Sequence, residues 1–156
     1  MKYLILFALL LSSLSGFSQN NPYSVRSYHE EGNKAPNTHY IGEAWLNGVL
    51  QADELFNYNI TKATFKANST LDWHKHSGPQ ILIVVGGEGY YQEKGKQPIR
   101  IKEGDILKCT PGIEHWHASS KEKDVTYLAI YTGGTEWTEV LTKEAYDLVA
   151  ESLKQQ

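Results

Sequence analysis

Along most of this chain the apolar residues come in short runs, and glycine, proline or small polar residues punctuate the gaps. Tyr40 to Asn47 fits a short strand or a turn. Leu55 to Lys66 alternates loosely. Phe56, Tyr58 and Ile60 share one face and Ala63 and Phe65 the other, which predicts a strand with a slip or bulge. Leu71 to His76 predicts a short strand. Gln80 to Val85, apolar and β-branched after its first residue, predicts a buried one. Gly86-Gly87-Glu88-Gly89 predicts a turn. Further strands are expected over Tyr90 to Glu93, Ile99 to Ile101, Asp105 to Cys109, His115 to Ala118 and Val125 to Tyr131, with Gly133-Gly134 closing the series. Thr142 is placed to cap a terminal helix whose Tyr146, Val149, Ala150 and Leu153 form one apolar stripe. Many short strands, no interleaved helices and one late helix predict an all-β sandwich or barrel.

The first residues follow a different pattern. Lys2 is followed by the apolar run Tyr3 to Leu11, then Ser12-Ser13-Leu14-Ser15, and small residues Gly16 and Ser18 stand at −3 and −1 of a cut before Gln19. This predicts a signal peptide over residues 1–18. The apolar run is about half of the roughly 20 residues needed to span a bilayer. The expectation is a secreted or periplasmic protein with no membrane attachment after cleavage. Residues 19–39 read as a polar, irregular N-terminal arm with Pro22, Gly32 and Pro36, ahead of one domain over residues 40–156.

Composition narrows the function. A net charge of −3 with no basic run lacks the footprint of a nucleic-acid binder. The lone Cys109 excludes an intrachain disulfide and reads as buried filler.

The histidines change the picture most. His74 with His76, and His115 with His117, are each two apart on expected strands, so each pair puts two imidazoles on one surface. Gln80 follows His76 across Ser77-Gly78-Pro79 and offers an amide oxygen. A site of N and O donors suits a divalent transition ion, and spacing alone does not choose between that and hydrogen-bonded histidines. His29 and His39 lie in or beside the polar arm and are expected to be exposed and without a role.

These residues carry a known pattern. The chain resembles the cupin superfamily, whose first motif, Gly-x5-His-x-His-x3/4-Glu-x6-Gly, is matched by Asn68, His74, His76, Gln80 and Gly87. The second, Gly-x5-Pro-x-Gly-x2-His-x3-Asn, is matched by Gly104, Thr110, Gly112, His115 and Ser119. The resemblance implies a double-stranded β-helix, or jelly roll, with a short C-terminal helix. It implies one divalent ion on His74, His76, Gln80 and His115, with manganese first and iron, nickel, zinc, copper or cobalt as alternatives. The main departure is Gln80 for Glu, which leaves the donor set neutral and the ion a stronger Lewis acid.

Within the superfamily the chain is similar to small monodomain cupins that include the bacterial manganese hydroxynitrile lyases and proteins associated with carboxymuconolactone decarboxylases. Tyr127 stands where that subgroup often carries a histidine. The implied function is a metal-dependent lyase or isomerase acting on a hydroxyl- or carbonyl-bearing small molecule. A dioxygenase of the quercetinase type and a non-catalytic binding cupin are the alternatives. His117, on the same face as His115, is the expected proton-transfer residue, and Phe65, Trp116, Tyr127 and Tyr131 the expected pocket wall. The arm and an open sheet edge predict a homodimer or homotetramer.

Overall fold

The computed structural model describes residues 25–154, so the leader expected over residues 1–18 lies outside the described residues. In chain order the strands are β1 (Asn33–Lys34), β2 (Tyr40–Ile41), β3 (Ala44–Leu50), β4 (Asn59–Phe65), β5 (Thr70–Leu71) and β6 (His74–His76). There follow β7 (Gln80–Glu93), β8 (Ile99–Lys102), β9 (Ile106–Cys109), β10 (His115–Ser119), β11 (Val125–Tyr131) and β12 (Thr135–Trp137), and then helix α1 (Lys143–Lys154). This is an all-β curled cupin-type barrel of antiparallel strands with a short C-terminal helix.

Strand β7 builds the barrel, because it belongs to both walls. Its first half pairs with β11 and β9, continuing the order β1-β3-β4-β11. Its second half pairs with β10 and β8, and β10 in turn pairs with β5 and β6. The turn expected at Gly86 to Gly89 is instead a bend inside one continuous strand of 14 residues. The glycines explain why. Gly87 has φ 78°, and a Cβ there would stand 1.9 Å from the Asp124 carbonyl oxygen, so the chain passes where no side chain fits.

Two other expectations shift. The arm is not irregular throughout, since β1 pairs with β3 and Ala35 is buried in the core. Gly133-Gly134 does not close the sheet, because β12 follows and pairs with β6, setting Thr135 opposite His76 and Trp137 opposite His74.

Phe65 and Tyr127 of the first wall pack against His117 of the second, and Leu82 and Val84 are buried in the same core. The helix begins where the Ala145 N–H donates to Thr142 Oγ1 at 3.2 Å. It buries Tyr146, Ala150 and Leu153, with the Tyr146 ring against Tyr90 and its hydroxyl donating to the Ser119 carbonyl. Among the described residues no helix is long and apolar enough to cross a membrane.

Candidate metal centre

Register assembles the site. Antiparallel pairing sets His115 directly opposite His74, so their rings lie side by side with centroids 4.4 Å apart. His76, on the same face of β6 as His74, has its ring 5.0 Å from that of His74 and 5.3 Å from that of His115. His117 points the same way as His115, its ring 5.3 Å from that of His74. Gln80, at the first position of β7, is buried beside His76.

The outward nitrogens are anchored. The Nδ1–H of His74 donates to the Asp72 carbonyl and that of His115 to the Ile113 carbonyl, each at 3.0 Å. His76 Nδ1 sits 3.2 Å from the Thr135 hydroxyl and beside the Gly134 carbonyl. Each Nε2 is thereby left with a lone pair, the tautomer a metal ligand needs.

Two observations test the fit of an ion. His76 Nε2, His115 Nε2 and Gln80 Oε1 are buried and have no hydrogen-bond partner. Polar atoms in that state are costly unless something binds them. In addition, ligand atoms of His74, His115 and His117 all lie within 4.8 Å of one another. The two groupings share His115. The first adds His76 and Gln80, and the second adds His74 and His117. Nδ1 of His117 is bonded to the Tyr127 hydroxyl, whereas the Nδ1 atoms of His74 and His115 are bonded to main-chain carbonyls, so the buried histidines and Gln80 together offer the candidate donors for one ion. Burial pushes His74 down to about 3 and His76 to about 4, with the neighbouring His115 adding to each, so the imidazoles are neutral and free to bind metal.

A cavity of about 310 Å³ lies beside these side chains, between the two walls. Phe65, Tyr127 and Tyr131 line it, as do His74, His76, Gln80 and His117. Among the described residues no Asp, Glu, Lys or Arg does. Trp116, expected in the pocket wall, is not in it. Strand alternation turns it to the opposite face of β10 from His115 and His117, where its ring meets Trp73 and its Nε1–H donates to Gln92. Cys109 is buried 3.7 Å from the Tyr91 hydroxyl, and burial raises its thiol to about 11, the state of an inert filler.

Sequence reasoning missed much of the wall, Trp137, Thr135 and Tyr40 included. Trp137 and Thr135 enter the cavity wall from β12, beyond the glycine pair that reads as a terminus. Tyr40 lines it from β2, and burial together with Tyr131 beside it raises its phenol. His39 is not a free arm residue, since its ring stacks on Trp137 and bonds Asp72. No local pattern reveals that contact.

Fold and site together define a small β-barrel protein with a buried triad of metal-ligating histidines. A model of the cupin domain matches residues 62–131. The (R)-mandelonitrile lyase of Granulicella tundricola is 31% identical over 112 residues, 65% of this chain and 86% of that protein. The crystal structure of a cupin-like protein from Thermotoga maritima superposes with a TM-score of 0.76 at 32% identity, covering 80% of this chain and 98% of that one. An acireductone dioxygenase of Ixodes scapularis is 25% identical over 95 residues, 58% of this chain and 49% of that protein, about half its length. The chain belongs to the cupin family.

Proposed function

We propose that this protein is an exported metal-dependent lyase. Its substrate is a neutral small molecule bearing a hydroxyl on the carbon whose bond breaks. The observation that carries the reading is the set of three buried, unpartnered donor atoms on His76, Gln80 and His115, beside a cavity in whose wall no charged side chain stands among the described residues. Its relation to a protein named as a lyase agrees with this.

A divalent ion on His74, His76, Gln80 and His115 supplies a Lewis acid for negative charge developing on a substrate oxygen. Three imidazoles and an amide carry no formal charge, so such a set would offset less of the ion's charge than one that includes a carboxylate. Among the described residues the wall holds no cationic side chain, so a substrate carboxylate would find no arginine or lysine partner there, which favours neutral substrates. Apolar and aromatic surface from Phe65, Ala63 and Ala129 excludes water around the reacting carbon.

The protein's own proton machinery is the pair His117 and Tyr127. In the cleavage the substrate hydroxyl loses its proton, its oxygen becomes a carbonyl as the adjacent bond breaks, and the leaving carbon takes a proton. His117 is buried and held well below its usual pKa, first by burial and then by the neighbouring imidazoles. It is therefore neutral, and with its hydrogen on Nδ1 it can take the substrate hydroxyl's proton at Nε2 and return it to the leaving carbon.

Elemental analysis of untagged protein tests the reading, with about one transition ion per chain expected and loss of that ion in His76→Ala and His115→Ala. A panel of α-hydroxynitriles and related hydroxyl compounds should then yield a carbonyl product. Protein that takes up no ion at micromolar supply defeats the proposal. A dioxygenase reading draws on the acireductone dioxygenase match, and oxygen uptake with diol or enol substrates separates the two.

A further inference from the structure

We infer that His39 is a positioning residue for the metal centre, steadying His74 through Asp72 and through the indole of Trp137. The inference rests on the metal reading of the site.

Two chains of contact run from His39 to His74. The first passes through Asp72. The Asp72 N–H donates to the His39 carbonyl at 3.0 Å, and the His39 Nδ1–H donates back to Asp72 Oδ2 at 3.0 Å, a two-way clasp between residues 33 apart in sequence. The other carboxylate oxygen of Asp72 accepts the Leu141 N–H, and its carbonyl accepts the Nδ1–H of His74. Asp72 is 6% exposed, so water holds it little and its orientation is set by these four bonds. Moving Asp72 turns the carbonyl that fixes the His74 ring.

The second chain is the stack. The His39 ring lies on the Trp137 indole with centroids 4.3 Å apart and planes 12° from parallel. Trp137 sits opposite His74 in the β12 to β6 register, 5.2 Å from its ring, and forms part of the cavity wall. A segment just before β2 thus supports His74 at its anchoring carbonyl and at its flank. Partners that orient a ligand from behind carry metal affinity, typically 10- to 100-fold on removal.

The test uses the full chain loaded with Co²⁺, whose d–d absorption reports coordination geometry, and three variants. His39→Ala removes the side-chain bond to Asp72 and the stack while keeping the main-chain bond, His39→Asn keeps a donor toward Asp72, and His39→Phe keeps the stack. Expected are about a 10-fold loss of Co²⁺ affinity and an altered d–d band in His39→Ala, with His39→Asn recovering most of the affinity and His39→Phe less. An Ala variant with wild-type affinity and spectrum overturns the inference, and so does one whose only change is a lower Tm. If His39→Ala does not fold, wild-type affinity and spectrum in both the Asn and Phe variants overturn it. Wild-type protein that takes up no cobalt defeats the metal reading itself, and this inference with it, which distinguishes the two failures.

Discussion

The Tyr127 hydroxyl stands 2.6 Å from Nδ1 of His117, joining β11 in one wall of the barrel to β10 in the other. Both side chains are buried, and burial raises the phenol well above its usual pKa while lowering the imidazole. Both partners are therefore neutral, and His117 is the one hydrogen-bond partner of the hydroxyl among the described residues. With the phenol donating to Nδ1, Nε2 of His117 carries its hydrogen toward the cavity. When the phenol turns and accepts from Nδ1–H instead, Nε2 presents a lone pair. The two arrangements carry the same number of protons, and the one with hydrogen on Nδ1 is the one that can take up a proton at Nε2 and return it.

Tyr127→Phe should keep the shape of the cavity and remove this control. The expected result is unchanged metal content, a stability loss of about 1–3 kcal/mol from the stranded Nδ1, and a kcat lowered at least about 10-fold with KM little changed. A kcat equal to wild type would remove Tyr127 from the mechanism.

Gln80→Glu adds one negative charge among the proposed ligands. Metal should bind at least about 10-fold more tightly, measured by competition with a chelator, because Coulomb attraction is strong in a buried site. Turnover should fall, since the carboxylate offsets charge the ion would otherwise direct at the substrate. Without metal the variant should melt lower than wild type, as a carboxylate buried beside His76 lacks water. Unchanged affinity would place Gln80 outside the ligand set.

The sequence pattern reached the centre of this site and stopped at its rim. His74, His76 and His115 were legible because spacing of two on a strand and a two-part motif are local, and strand pairing does the rest. Trp116 misled because an aromatic beside two inward histidines looks like a wall, although alternation alone places it on the other face. The Gly86 to Gly89 run read as a turn because glycine signals both a reversal and a close crossing, and only the position of Asp124 decides between them. Trp137 and His39 depend on contacts across the barrel mouth that no window of sequence contains.

Acid should destabilise the metal-free protein. His74 and His76 titrate near 6.5 in an unfolded chain but are pushed to about 3 and about 4 in the fold, chiefly by burial. Between those values the unfolded chain binds protons that the native one does not, so stability present above pH 6.5 is lost as pH falls toward 4. Each group contributes up to about 1.4 kcal/mol per pH unit. Thermal melts after chelation should show Tm falling steadily from pH 7 to pH 5, and His74→Gln with His76→Gln should flatten that slope. Protons and metal compete for the same nitrogens, so metal release on acidification should track the same range. A Tm independent of pH across this window would contradict the buried, neutral state of the pair.

Gly87→Ala tests the bend that lets β7 serve both walls. The residue has φ 78°, a left-handed conformation that costs an alanine roughly 1–2 kcal/mol. The added methyl would also lie 1.9 Å from the Asp124 carbonyl oxygen, which accepts the Glu88 N–H at 3.0 Å. Backbone cannot yield there as a flexible side chain would, so the carbonyl must move and that hydrogen bond is lost. The expected destabilisation is about 3 kcal/mol or more, a fall in Tm of roughly 10 °C for a domain of this size. Gly86→Ala is the control. A Cβ at that position meets nothing within 4 Å and its φ is not left-handed, so its melt should stay within about 1 kcal/mol of wild type. Because Gln80 leads into the same strand and Tyr127 pairs across it, the Gly87 variant should also lose metal affinity at temperatures where it remains folded. Equal melting of the two variants would mean that the chain crosses from wall to wall without needing a glycine at residue 87.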